Sequence, residues 1–114
     1  MSGSIRLSKP WLALDDVHVR ALAGQLGVYE IASTDDDTIL RVGYAGGRSL
    51  FGLRGELERE LRERGPAVAR FRVEVTMAYL TRYRELLMLQ LADHGRLPPE
   101  NEDDPARLGR LSPS

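Results

Sequence analysis

The order of apolar and polar residues divides the chain into a short helix, two strands, a helix, a third strand, a second long helix and a polar tail. In "LALDDVHVRALA", residues 12–23, the apolar positions suit a short helix that Gly24 stops. Residues 28–33 and 38–44 are apolar-rich runs flanking the acidic loop Asp35, Asp36 and Asp37, a pattern that predicts an antiparallel hairpin. Leu50, Leu53, Leu57 and Leu61 recur at helical spacing in "LFGLRGELERELRER", so this helix is expected to lay one stripe on a core and to end at Gly65-Pro66. Residues 71–77, "FRVEVTM", alternate as a third strand. "YLTRYRELLMLQLADHG" predicts a long helix ended by Gly95, apolar on most sides from Leu86 to Leu91 and therefore expected to be deeply buried. The tail "LPPENEDDPARLGRLSPS" is expected to wrap the surface or fray.

No internal repeat or long linker divides the 114 residues, so the expectation is one domain over 1–114, with 103–114 as a flexible tail. Hydrophobic residues at 42% and charged residues at 29% fit the globular class. No apolar run approaches the roughly 20 residues of a bilayer span, and the N-terminus lacks a leader pattern. The expectation is a cytoplasmic protein with no membrane partner. With no cysteine, disulfides, thiolate metal sites and cysteine nucleophiles are excluded, and any metal would sit on oxygen or imidazole.

Dividing the charge along the chain changes the picture given by a net charge of -1. Residues 41–96 hold eleven basic and seven acidic side chains, whereas both flanks are acidic. Fifteen of the sixteen basic residues are arginine, the side chain whose planar fork fits phosphate; a codon bias would give the same imbalance. Common catalytic patterns are missing. "GYAGG" is neither a dinucleotide fingerprint nor a P-loop, His18 and His94 lack metal-ligand spacing, and the Asp35 to Asp37 run lacks the glycine and distal glutamate of a calcium loop.

Five features in order carry a resemblance: Gly27-Val28-Tyr29, then Arg41-Val42-Gly43, then Arg54, Glu85 and Asn101. Over about residues 25–102 the chain resembles the GIY-YIG nuclease superfamily. The resemblance implies an α/β fold with a small three-stranded antiparallel sheet flanked by helices. It also implies hydrolysis of a nucleic-acid phosphodiester, DNA ahead of RNA, with one divalent cation, magnesium or manganese. Tyr29 would then position or activate the attacking water, Arg54 would stabilise the phosphorane, Glu85 would hold the metal, and Asn101 would order the site. A carboxylate and an arginine suit phosphoryl transfer, which needs positioning and charge stabilisation more than covalent chemistry.

Three positions depart from the superfamily pattern. Arg41 replaces the tyrosine of the second motif, Tyr44 follows its glycine, and Glu58 stands four residues beyond Arg54. Tyr44 could supply the missing phenol only if a bulge or strand end near Gly43 brings it to the face of Arg41. If Arg41 shares a face with Tyr29 it becomes a second phosphate contact; one residue out of register, it instead pairs with Glu30. Arg48, in the "GGRS" loop, is either a phosphate contact or a solvated loop residue. Glu85 is either a metal ligand or an ion-pair partner of Arg82, and Arg54 is either catalytic or paired with Glu58. Tyr79, Tyr83, Phe51, Phe71 and Trp11 have ordinary packing readings. The leading expectation is a metal-dependent phosphodiester hydrolase. The alternative is a nucleic-acid-binding or protein-interaction module on the same fold that has lost turnover.

Overall fold

The computed structural model describes residues 6–66 and 68–102. Its centre is a hairpin of β2, Gly27–Ser33, and β3, Ile39–Ala45. On the other side of β2 lies β4, Ala69–Val75, and a two-residue strand β1, Leu12–Ala13, extends the sheet beyond it. All pairings are antiparallel and the order is β1-β4-β2-β3. The sheet therefore has four strands rather than the three expected. The expected helix over 12–23 shrinks to α1, Asp16–Arg20, because Leu12 and Ala13 are taken up by pairing with Phe71 and Arg70. Asp15 then caps α1, its carboxylate accepting from the His18 amide at 2.9 Å. β4 begins and ends two residues earlier than the alternation suggests.

Each face of the sheet carries its own core. Tyr29, Ile31 and Phe71 pack with Leu53 and Leu57 of α2, Gly52–Arg64, and with Val19 of α1. On the opposite face Val28, Ala32 and Val42 pack with Tyr83, Leu86 and Leu87 of α3, Tyr79–His94. Adjacent strand residues alternate between these cores, as the pleat requires. α3 buries one face only: Met88 and Leu91 are exposed, so the all-round burial expected of residues 86–91 is not observed. Leu50 is likewise exposed and lies outside α2.

Beyond α3 the chain returns across β3 as a short 3₁₀ turn, η1, Pro99–Asn101. β3 is an edge strand, and Asn101 closes part of that edge. The Asn101 Oδ1 accepts from the Val42 amide at 2.8 Å, while its Nδ2 donates to the Val42 carbonyl at 2.9 Å. One side-chain amide thus satisfies both backbone groups of Val42, as a neighbouring strand would. Residues 97–102 of the tail are docked in this way, and the expected flexible tail, 103–114, lies outside the described residues.

Candidate functional site

Register decides which side chains meet. Tyr29 pairs with Gly43, and Ile31 with Arg41, so Tyr29, Arg41 and Gly43 share the face that packs on α2. The alternative pairing of Arg41 with Glu30 does not occur: Glu30 stands opposite Val42, on the α3 face, and binds Arg72 at 2.8 Å. A register shift lies between Ile31 and Ala32, where β3 carries an extra residue, Leu40. No such shift occurs at Gly43. Tyr44 therefore stays on the α3 face, where its ring stacks on Tyr79 at 5.8 Å and meets Tyr83 edge-on at 5.0 Å.

The ring of Tyr29 lies over Gly43, and its hydroxyl donates to Glu60 Oε2 at 2.8 Å. Glu60 is fully buried among the apolar residues of α2, but each of its oxygens is engaged. Arg64 Nε donates to Oε1 at 2.9 Å, and Arg41 Nε lies 3.3 Å from Oε2. Arg64 also forks onto Glu100 of η1, which Arg41 approaches at 3.7 Å. Two carboxylates face two guanidiniums, so the buried charge of Glu60 is compensated. Burial raises the Tyr29 phenol well above its ordinary value, and the charge of Glu60 and the hydrogen bond to it push the same way, against Arg41 and Arg59. Tyr29 at neutral pH is a proton donor committed to Glu60.

Glu60 escaped the sequence reading, although a signal was present. Leu53, Leu57, Glu60 and Arg64 follow at helical spacing, which puts a carboxylate and a guanidinium in line with the leucines. Such a polar pair on an apolar stripe marks a buried, compensated interaction.

An open groove of about 1030 Å³ runs over the β3 edge between α2 and the start of α3. It takes in Tyr29, Arg41 and Tyr44 from the strands, the 46–51 loop with Arg48, Arg59 and Arg62 from α2, and Tyr79 from α3. Tyr79 fixes the loop to α3, its hydroxyl accepting from the Gly47 amide at 3.1 Å. Four arginines line the groove against two glutamates, Glu56 and Glu58. Arg59 is paired with Glu56 at 2.6 Å, and Arg41 with the buried Glu60 and the exposed Glu100. Arg48 and Arg62 are exposed and, among the described residues, have no ion-pair partner.

Of the residues singled out in the sequence, Tyr29, Arg41, Tyr44 and Arg48 come together in this groove. Asn101 supports it from behind through Val42. Arg54 is not among the lining residues; it lies on α2 to the side of the groove-facing positions Gly55, Arg59 and Arg62. It makes no pair with Glu58. Glu85 belongs to α3, on the opposite side of the sheet from Tyr29, and its carboxylate is bound by Arg82, which also forks onto Glu74 at 2.9 and 3.1 Å. Among the described residues no three His, Asp or Glu side chains gather closely enough to hold a metal ion. The residues present therefore do not fit a cation held by Glu85 in the groove. No helix of the described residues is long and apolar enough to cross a membrane.

A family model described as a domain of unknown function, DUF7508, matches residues 5–94. The chain belongs to the DUF7508 family. The matched span contains the four strands and three α-helices of the described residues, and η1 with Asn101 lies beyond it. No curated protein and no solved structure matches the DUF7508 chain.

Proposed function

We propose that this domain binds nucleic acid by its phosphodiester backbone, on a GIY-YIG-like scaffold whose hydrolytic machinery has been converted into structure. The observation that carries the reading is the cationic groove at the β3 edge, in which Arg48 and Arg62 are exposed and unpaired beside Arg41 and Arg59. Most other arginines of the basic middle segment are spent internally: Arg64 on Glu60 and Glu100, Arg70 on Asp37, Arg72 on Glu30, Arg82 on Glu74 and Glu85. Among the described residues Arg54 and Arg84 are also without an ion-pair partner, outside the groove, but Arg48 and Arg62 set two unpaired guanidiniums in one concave surface, and guanidinium forks match phosphate oxygens.

Three features favour binding over cleavage. The Tyr29 phenol is held protonated against Glu60, Arg41 occupies the place of a second phenol, and Glu85 is neutralised by Arg82 on the far face. Magnesium- or manganese-dependent hydrolysis would need each of these to be rearranged.

Binding of a labelled oligonucleotide, followed by anisotropy across a salt series, tests the proposal. Affinity should fall steeply with salt as neutralised phosphates release counterions. Replacing both Arg48 and Arg62 by alanine should weaken binding and reduce the logarithmic salt slope by about two. Glu85→Gln should leave affinity unchanged. Absence of binding at low salt would overturn the reading, and manganese-dependent cleavage that Tyr29→Phe abolishes would replace it with the hydrolase.

A further inference from the structure

The loop that enters α2 places a large aromatic residue where packing gives it no reward. Phe51 has φ 62°, in the left-handed region, and is 65% exposed. Its backbone is held there by neighbours. The Leu53 amide donates to the Gln25 carbonyl at 2.8 Å, and Gly52, also at positive φ, lies so close to Gly24 that an added Cβ would come within 2.5 Å of the Gly24 carbonyl carbon. The chain must therefore turn at residues 51–52 whatever side chain stands there. Glycine or asparagine would make that turn with less strain than phenylalanine. The ring contributes little to either core, yet it lines the same groove as Arg48 and the stacked Tyr44 and Tyr79.

A flat apolar ring in a groove that also carries the unpaired Arg48 and Arg62 fits a ligand with charged links and exposed π-faces. Duplex DNA presents its phosphates but keeps its base faces stacked, whereas a single strand offers both. Resting on the nucleic-acid reading of the groove, we infer that Phe51 is a base-stacking residue and that the ligand is single-stranded nucleic acid. The arginines track the backbone while Phe51 takes the face of an unstacked base.

The test compares oligo-deoxythymidylate with a duplex of equal length for wild type, Phe51→Gly and Phe51→Trp. Wild type should prefer the single strand. Phe51→Gly should weaken single-strand binding about 5- to 150-fold, the range of one lost stacking contact, with the salt slope unchanged because no phosphate contact is removed. Its unfolding midpoint should not fall, since glycine suits the backbone, so a loss of affinity is not a loss of fold. Phe51→Trp should keep the binding. Unaltered affinity in Phe51→Gly, or equal wild-type affinity for strand and duplex, overturns the stacking inference while leaving the groove reading in place. Failure of wild type to bind either nucleic acid overturns both.

Discussion

Tyr29 lies directly across the hairpin from Gly43, and a Cβ added to Gly43 would come within 2.2 Å of the Tyr29 Cζ. The two motif residues are therefore one packing unit: the glycine is the floor on which the ring lies, and the ring so placed delivers its hydroxyl to Glu60. Gly43→Ala should force the ring out and cost about 1–3 kcal/mol, as overpacking does. Urea unfolding measures this. In a Tyr29→Ala background the same substitution should cost much less, and that coupling distinguishes the clash from a general backbone effect.

Glu60 joins three groups that are unsatisfied without it or left with a single partner. Glu60→Leu strands the Tyr29 hydroxyl and weakens the hold on Arg41 and Arg64, so a loss of about 3–5 kcal/mol is expected, in the range for breaking a buried ion pair. Glu60→Gln keeps one acceptor for the phenol and should cost less. Equal unfolding midpoints for the two variants would show that the carboxylate charge is not what the site needs.

The raised Tyr29 pKa gives a signed expectation. A group that binds its proton more tightly in the folded state contributes stability below its unfolded pKa, about 10 for tyrosine, and loses it progressively as pH rises beyond that value. Stability should therefore decline above about pH 10, with a component that Tyr29→Phe removes. In an ultraviolet titration, the Tyr29 phenolate band should emerge only with unfolding. Reversible ionisation of Tyr29 in the folded protein near its ordinary value would contradict the buried donor.

Asn101 substitutes for a missing strand at Val42. Asn101→Ala leaves both backbone groups of Val42 to find other partners, at a cost of about 1–3 kcal/mol, and hydrogen exchange at the Val42 amide should accelerate. Asn101→Asp keeps an acceptor for the amide but places a carboxylate against the Val42 carbonyl. It should be at least as destabilising.

Local patterning made most of the elements legible. The hairpin, both long helices and the third long strand follow from apolar periodicity and from the stops at Gly65 and Gly95, because helices and strands of this length are specified by which residues one face must bury. The strand β1 was not legible, since two residues carry no period and pair only because β4 offers an edge. Nor was the exposure of Leu50 and Phe51: their apolar character predicts burial, but the contact of Gly24 and Gln25 with residues 52 and 53 fixes the backbone so that both point outward.

The site divides in the same way. The family resemblance marked Tyr29, Arg41, Gly43, Arg54, Glu85 and Asn101 as points of interest, of which Arg54 and Glu85 lie outside the groove, and pleat parity alone sets Tyr44 apart from Arg41. Which face each residue takes depended on the strand register, set by pairings that run from Ala32 with Ile39 to Gly27 with Ala45 and by the extra residue at Leu40. The pairs Glu60–Arg64 and Glu85–Arg82 each lie one turn apart on a single helix and are open to sequence reading, whereas the meeting of Tyr29 and Arg41 with Glu60, and of Arg64 with Glu100, needed the packing of separate elements. A carboxylate's role is decided by which cation reaches it first, and that is a property of three-dimensional proximity, which no linear spacing between separate elements encodes.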